Sequence, residues 1–158
     1  MKFVSENLID EVIVQTENPA FLETEWQKLS HENPFLLQFI APERSELLTK
    51  EESELLEFLV LVIYIASRAA LQKTPVVQAK ILEENEEINW ETWNETGEKS
   101  PKKAIDAFFE NYFQEDLLAF VEDSLAGDND DVEITNVGIE IIMVTTKAVI
   151  DTLHSLND

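Results

Sequence analysis

VEITNVGIEIIMVTTKAVI, residues 132–150, decides the fold class, because twelve of its nineteen residues are β-branched. Its first half alternates partly with period two, as a half-buried strand would. Its second half keeps a different spacing. Ile142, Thr145 or Thr146, Val149, Leu153 and Leu156 recur at helical intervals, and no other segment offers a partner strand. The stretch therefore reads as a helix over residues 136–156. Gly138 then costs about 1 kcal/mol in a helix interior.

Working outward, the rest of the chain is punctuated for helices. Proline follows a capping residue at Asn18-Pro19, Asn33-Pro34, Thr74-Pro75 and Ser100-Pro101, where its missing N–H is harmless and its fixed φ suits the first turn. Thr49 and Glu52 have capping-box spacing, and Gly127 suits a position just past a helix end. These marks predict helices over 5–16, 19–31, 34–41, 50–72, 75–88, 101–113, 115–126 and 136–156. The run FLVLVIYIA, residues 58–66, is apolar nearly all round and predicts the central helix. Residues 84–100, ENEEINWETWNETGEKS, lose the amphipathic pattern and read as a long connector. The expected architecture is a single all-α domain over residues 1–158, a bundle or array of seven or eight helices.

An offset of 81 residues lays LLQFI, residues 36–40, on LLAFV, residues 117–121, and lays residues 56–63 on 137–144. That offset suggests two related helical halves, 18–72 and 100–156, joined through 84–100.

Composition bounds the function. With 44% hydrophobic residues in 158, the chain can bury a core in spite of its charge. A net charge of −22 repels phosphate backbones and anionic membrane surfaces, so neither nucleic acid nor membrane is an expected partner. The charge is uneven. Residues 83–133 hold 17 acids against Lys99, Lys102 and Lys103, and no Lys or Arg lies between Lys103 and Lys147. The absence of cysteine excludes thiolate chemistry and cysteine-based metal sites. The acids in the first residues and the lack of an apolar leader point to the cytoplasm. The nine-residue apolar run falls far short of the roughly 20 that a membrane span needs.

Four carboxylates in residues 128–133 raise the question of a calcium loop. An EF-hand needs oxygen ligands at loop positions 1, 3, 5 and 12 and glycine at position 6. Counted from Asp128, those last three positions are Val132, Ile139 and Glu133; counted from Asp131, positions 6 and 12 are Asn136 and Ile142. The pattern fails in both registers and reads as a solvated loop. Asp151 and His154 have the acid-x-x-His spacing of di-iron bundles, but a second pair is missing, since Lys28 precedes His31 by three. Neither a nucleophile elbow nor a phosphate-binding glycine loop is present. No catalytic, cofactor or metal residue is therefore assigned, and the expectation is a non-enzymatic protein.

The candidate partner-binding residues are Glu86, Glu87, Trp90, Glu91, Trp93 and Glu95. Aromatic anchors rimmed by one sign of charge concentrate binding energy and steer a partner of opposite sign. Two tryptophans three apart equally fit a helix face turned into the core. The leading expectation is an interaction or regulatory protein that shows an acidic face to a basic protein, as an inhibitor, an immunity-type protein or a nucleic-acid mimic does. A helical scaffold that takes a peptide into apolar grooves is the second, and an enzyme of unknown type the third.

Overall fold

The computed structural model describes residues 2–44, 46–96, 101–126 and 133–155. The protein is all-α, with no strand among the described residues. The helices are α1 (Glu6–Thr16), α2 (Pro19–Glu32), α3 (Pro34–Phe39), α4 (Lys50–Leu71), α5 (Ala79–Thr96), α6 (Pro101–Phe109), α7 (Glu115–Leu125) and α8 (Asn136–Ser155), with a 3-10 turn at Pro42–Arg44. The acidic loop read against the calcium pattern, Gly127 included, lies outside the described residues, as does residue 156.

The β-branched stretch is helical from Asn136 because, from Ile141 onward, nearly all of it is buried. Ile142, Val144, Thr146, Val149 and Ile150 are among the buried residues of α8, so the side-chain stiffness that lowers helix propensity is outweighed by packing. Its threonines satisfy themselves: Thr146 donates to the Ile142 carbonyl at 2.7 Å and Thr152 to the Ala148 carbonyl at 2.8 Å.

α8 packs along α4, and these two helices form the centre. α1 and α2 lie on α4, while α5, α6 and α7 lie on α8; α1 also meets α7. Two polar links show that α4 and α8 run parallel. Near their N-termini, Glu52 of α4 reaches Thr135, which precedes α8. Near their C-termini, Ser67 Oγ of α4 lies 2.9 Å from His154 Nε2 of α8. Each of the two proposed halves contributes one of these central helices.

The Glu52 link is built around a carboxylate with 0% exposure. One oxygen accepts the Thr49 N–H at 2.9 Å, completing the capping box of α4. The other accepts the Thr135 N–H at 2.8 Å and the Thr135 hydroxyl at 2.9 Å. Thr135 Oγ1 in turn accepts the Gly138 N–H at 2.9 Å, capping α8. Burial alone would raise the Glu52 pKa, but the bonds from Thr49 and Thr135 outweigh it and hold the group below its ordinary 4.5. Gly138 serves close approach: a Cβ there would come within 2.1 Å of the Glu52 carboxylate.

Two helices depart by several residues from the bounds read in the sequence. The helix expected over 75–88 runs over Ala79–Thr96, and the connector expected at 84–100 is helical as far as Thr96. Thr74-Pro75 starts nothing, because the Asn33 side chain binds the extended chain there, donating to the Pro75 carbonyl at 2.9 Å and accepting from Val77 N–H at 2.9 Å. α6 stops at Phe109, four residues early, where Asn111 turns to a left-handed φ of 55°.

Two tests follow from the Glu52 link. Gly138→Ala would normally stabilise a helix; here it should lower unfolding free energy by about 1–3 kcal/mol through overpacking, as read by urea denaturation. Glu52→Gln should cost about 2 kcal/mol at neutral pH, the scale of bonds to a charged acceptor. Because the folded-state pKa of Glu52 is depressed, its contribution is present above 4.5 and lost as pH falls through the folded value. The gap between wild type and Glu52→Gln should therefore close on acidification. Glu57 and Glu122 act with the opposite sign, since burial and then neighbouring acids raise them, and both variants share that background.

Candidate functional site

The acidic candidates lie on α5, so its helical phase decides what each can do. Leu82, Asn89 and Trp93 are buried, and Asn85 is half-buried on the same face. Two of these four positions are asparagines held by α8. Asn85 donates to Thr152 Oγ1 at 3.0 Å, and Asn89 accepts from Lys147 Nζ at 3.1 Å. Lys147 also pairs with Asp151 at 3.0 Å. Its ammonium stands 4.6 Å from the Tyr112 ring centre and 5.2 Å from that of Phe108. Tyr112 donates to Asp151 at 2.5 Å, and burial followed by the Asp151 charge keeps its hydroxyl protonated far above the usual range.

This phase separates the two tryptophans. Trp93 is 3% exposed and packs on Phe108 with ring centres 5.6 Å apart, so it is a core residue and unavailable to a partner. Trp90 is half-buried and lines an open cleft of about 570 Å³ between α5, the start of α8 and the 40s loop. Phe39, Ile40, Leu47 and Val137 make the apolar walls. Glu86 also lines the cleft, but Arg44 grips it through two bonds of 3.0 and 2.8 Å, while the guanidinium sits 4.1 Å over the Phe39 ring. Glu86 is thus a structural ion-pair partner. Glu87, Glu91 and Glu95 are exposed and have no ion pair among the described residues. Glu83 and Ile88, the latter 56% exposed, share their side of the helix. Sequence reading missed Arg44 and the cleft walls, which come from three separate stretches of chain.

Two buried clusters have the residue types of catalysis. The first is Ser67 with His154. Gln114 Oε1 accepts the Val4 N–H at 3.0 Å and its Nε2 donates to the Lys2 carbonyl at 2.6 Å, which fixes the amide orientation. That Nε2 lies 3.3 Å from His154 Nδ1, so we assign Nδ1 as acceptor and Nε2 as the protonated nitrogen. The imidazole then donates to Ser67 and cannot take its proton. The second is Asp151, whose oxygens serve Tyr112, Lys147 and Asn89. Asp151 and His154 thus face different partners. Among the described residues no cluster of three or more His, Asp or Glu could hold a metal ion, and no helix is long and apolar enough to cross a membrane.

Comparison with protein-family models, with curated proteins and with solved structures finds no match to this chain.

The division of the tryptophans is testable by stability alone. Trp93→Ala should cost about 3–5 kcal/mol, as large-to-small core changes do. Trp90→Ala should cost well under half as much, because its ring faces an open cleft. Comparable losses in chemical denaturation would contradict this assignment.

Proposed function

We propose that the protein is a non-enzymatic interaction module that receives a basic segment of another protein on the exposed face of α5, in the cytoplasmic setting expected from its sequence. The observation that supports this most is the direction of the charges. Negative side chains help a helix near its N-terminus and oppose its dipole near the C-terminus. α5 has no acid in its first turn and no base in its last, while Glu91 and Glu95 stand in its C-terminal half. Glu87, Glu91 and Glu95 also follow one another at four-residue intervals, where like charges repel by about 0.2–0.5 kcal/mol per pair. The arrangement costs the helix stability, so its use lies outside the fold.

Trp90 borders the same face, and its cleft offers an apolar socket beside the carboxylates. A Lys- or Arg-rich segment with one bulky apolar residue fits both, with charge steering the approach and the socket slowing release. An inhibitor, immunity-type or nucleic-acid-mimic role would each use such a face. The cleft walls favour a second reading, in which an apolar peptide is the ligand and the acidity serves solubility.

The experiment is affinity capture from the source cell at low and high salt, followed by kinetics on the captured protein. Replacing Glu83, Glu87, Glu91 and Glu95 by Gln should slow association roughly 10-fold or more at low salt and flatten its salt dependence. The melting temperature should hold or rise as repulsion is relieved. Trp90→Ala should act chiefly on dissociation. Unchanged association in the Gln variant, with binding lost in Trp90→Ala, would favour the apolar-peptide reading.

A further inference from the structure

A second face, on different helices, has the features of a docking site for a helix. α1 and α7 lie side by side, joined at their starts by the Glu6 N–H to Asp116 Oδ2 bond of 2.9 Å. Between them runs a groove of about 330 Å³ whose floor is Ile9, Ile13, Ala119 and Phe120. Its rim is Glu6, Asp10, Asp116 and Asp123. On each helix these residues recur at three-, four- and seven-residue steps, so each contributes one straight row to the groove.

We propose that this groove binds a basic amphipathic helix of a partner protein. Every charged side chain on the rim is negative, and neither ENLIDEVIVQT nor EDLLAFVEDSL contains a Lys or Arg. Among the described residues no cation forms an ion pair with the four rim acids, so a partner's cations would meet open carboxylates. The rim also fixes a spacing. Asp116 and Asp123 stand seven residues apart on α7, about 10 Å along its axis. A helix with Lys or Arg at positions i and i+7 would meet both, and apolar residues at i+3 and i+4 would rest on Phe120 and Ile13.

The apolar surface continues past one end of the groove. Three residues before Glu6 and three before Asp116, the rings of Phe3 and Phe113 meet edge to face at 5.8 Å, 42% and 49% exposed. Exposed aromatics beside an apolar floor mark an interaction surface more than a solvated face. Beside the rim, burial and then Asp123 and Asp106 raise the Glu122 carboxyl, with Lys102 acting in the opposite direction. A second copy of this chain would bring its own −22 to the same acids, and anionic membranes and nucleic acids are repelled likewise. The proposal does not rest on the α5 face.

The probe is a synthetic helical peptide of about four turns, made of Ala and Gln with Lys at i and i+7 and Leu at i+3 and i+4, titrated into the isotope-labelled full-length protein. Amide shifts are expected to concentrate on α1, α7, Phe3 and Phe113. The pair Asp10→Lys with Asp123→Lys, both exposed, should weaken binding about ten-fold or more, while Glu23→Lys with Glu46→Lys, equal in charge but remote, should leave it within about two-fold. Equal losses in the two pairs, or shifts spread over α5 and the remaining acidic surface, would overturn the proposal as general attraction to a negative protein. A dimer in sedimentation that Phe120→Ser dissolves would instead give the groove to a second copy and overturn it too.

Discussion

The position of Glu52 constrains more of this molecule than any other side chain. An ionised carboxylate without solvent costs several kcal/mol unless donors and positive potential surround it. Here two helix N-termini supply both: α4 through its own capping box and α8 through Thr135. The same carboxylate therefore sets the longitudinal register of the two central helices. With that register set, Ser67, fifteen residues on and roughly 23 Å away at 1.5 Å per residue, arrives opposite His154. His154 also meets Gln114, whose amide holds the backbone of Lys2 and Val4 against the bundle.

The interior also shapes the surface. Cations are scarce, 11 against 33 acids, and the best placed of them are committed inward. Arg68 binds Glu25 at 2.6 Å, Lys147 binds Asp151, and Arg44 binds Glu86. Glu25 is itself buried, so removing Arg68 would strand a charge inside the protein. Each pair removes one charge of either sign, so the rest of the surface keeps the full excess of acids with fewer cations to relieve it. Self-repulsion of that surface opposes compaction, and the apolar contact of α4 with α8 and their neighbours offsets it.

The α5 face and the α1–α7 groove share one logic on separate elements: an apolar seat beside carboxylates that form no ion pair among the described residues. They differ in construction. On α5 the apolar part is a single indole at the edge of a cleft. Between α1 and α7 it is a floor contributed equally by two helices, long enough for about two turns.

Much of the architecture was legible one residue at a time. The Pro-after-cap pairs at Asn18 and Asn33 start α2 and α3, the Thr49 and Glu52 box starts α4, and the apolar run at 58–66 is the buried centre, because caps and burial patterns are local properties of the chain. The spacing of Ile142, Thr146, Val149 and Leu153 carried the helical reading of α8 for the same reason. Tertiary structure decided the rest. The latter part of α5 reads as a connector because Asn85 and Asn89 occupy its inward face, and nothing local announces that Thr152, Lys147 and Asp151 wait there to satisfy them. Thr74-Pro75 has the form of a helix start, but Asn33, more than forty residues earlier, claims the backbone around it. Gly138 looked like a defect in a helix and is a clearance for the Glu52 carboxylate. Trp90 and Trp93 look alike in sequence, and only the packing of α5 on α8 and α6 sends one into the core and leaves the other at the edge of a cleft.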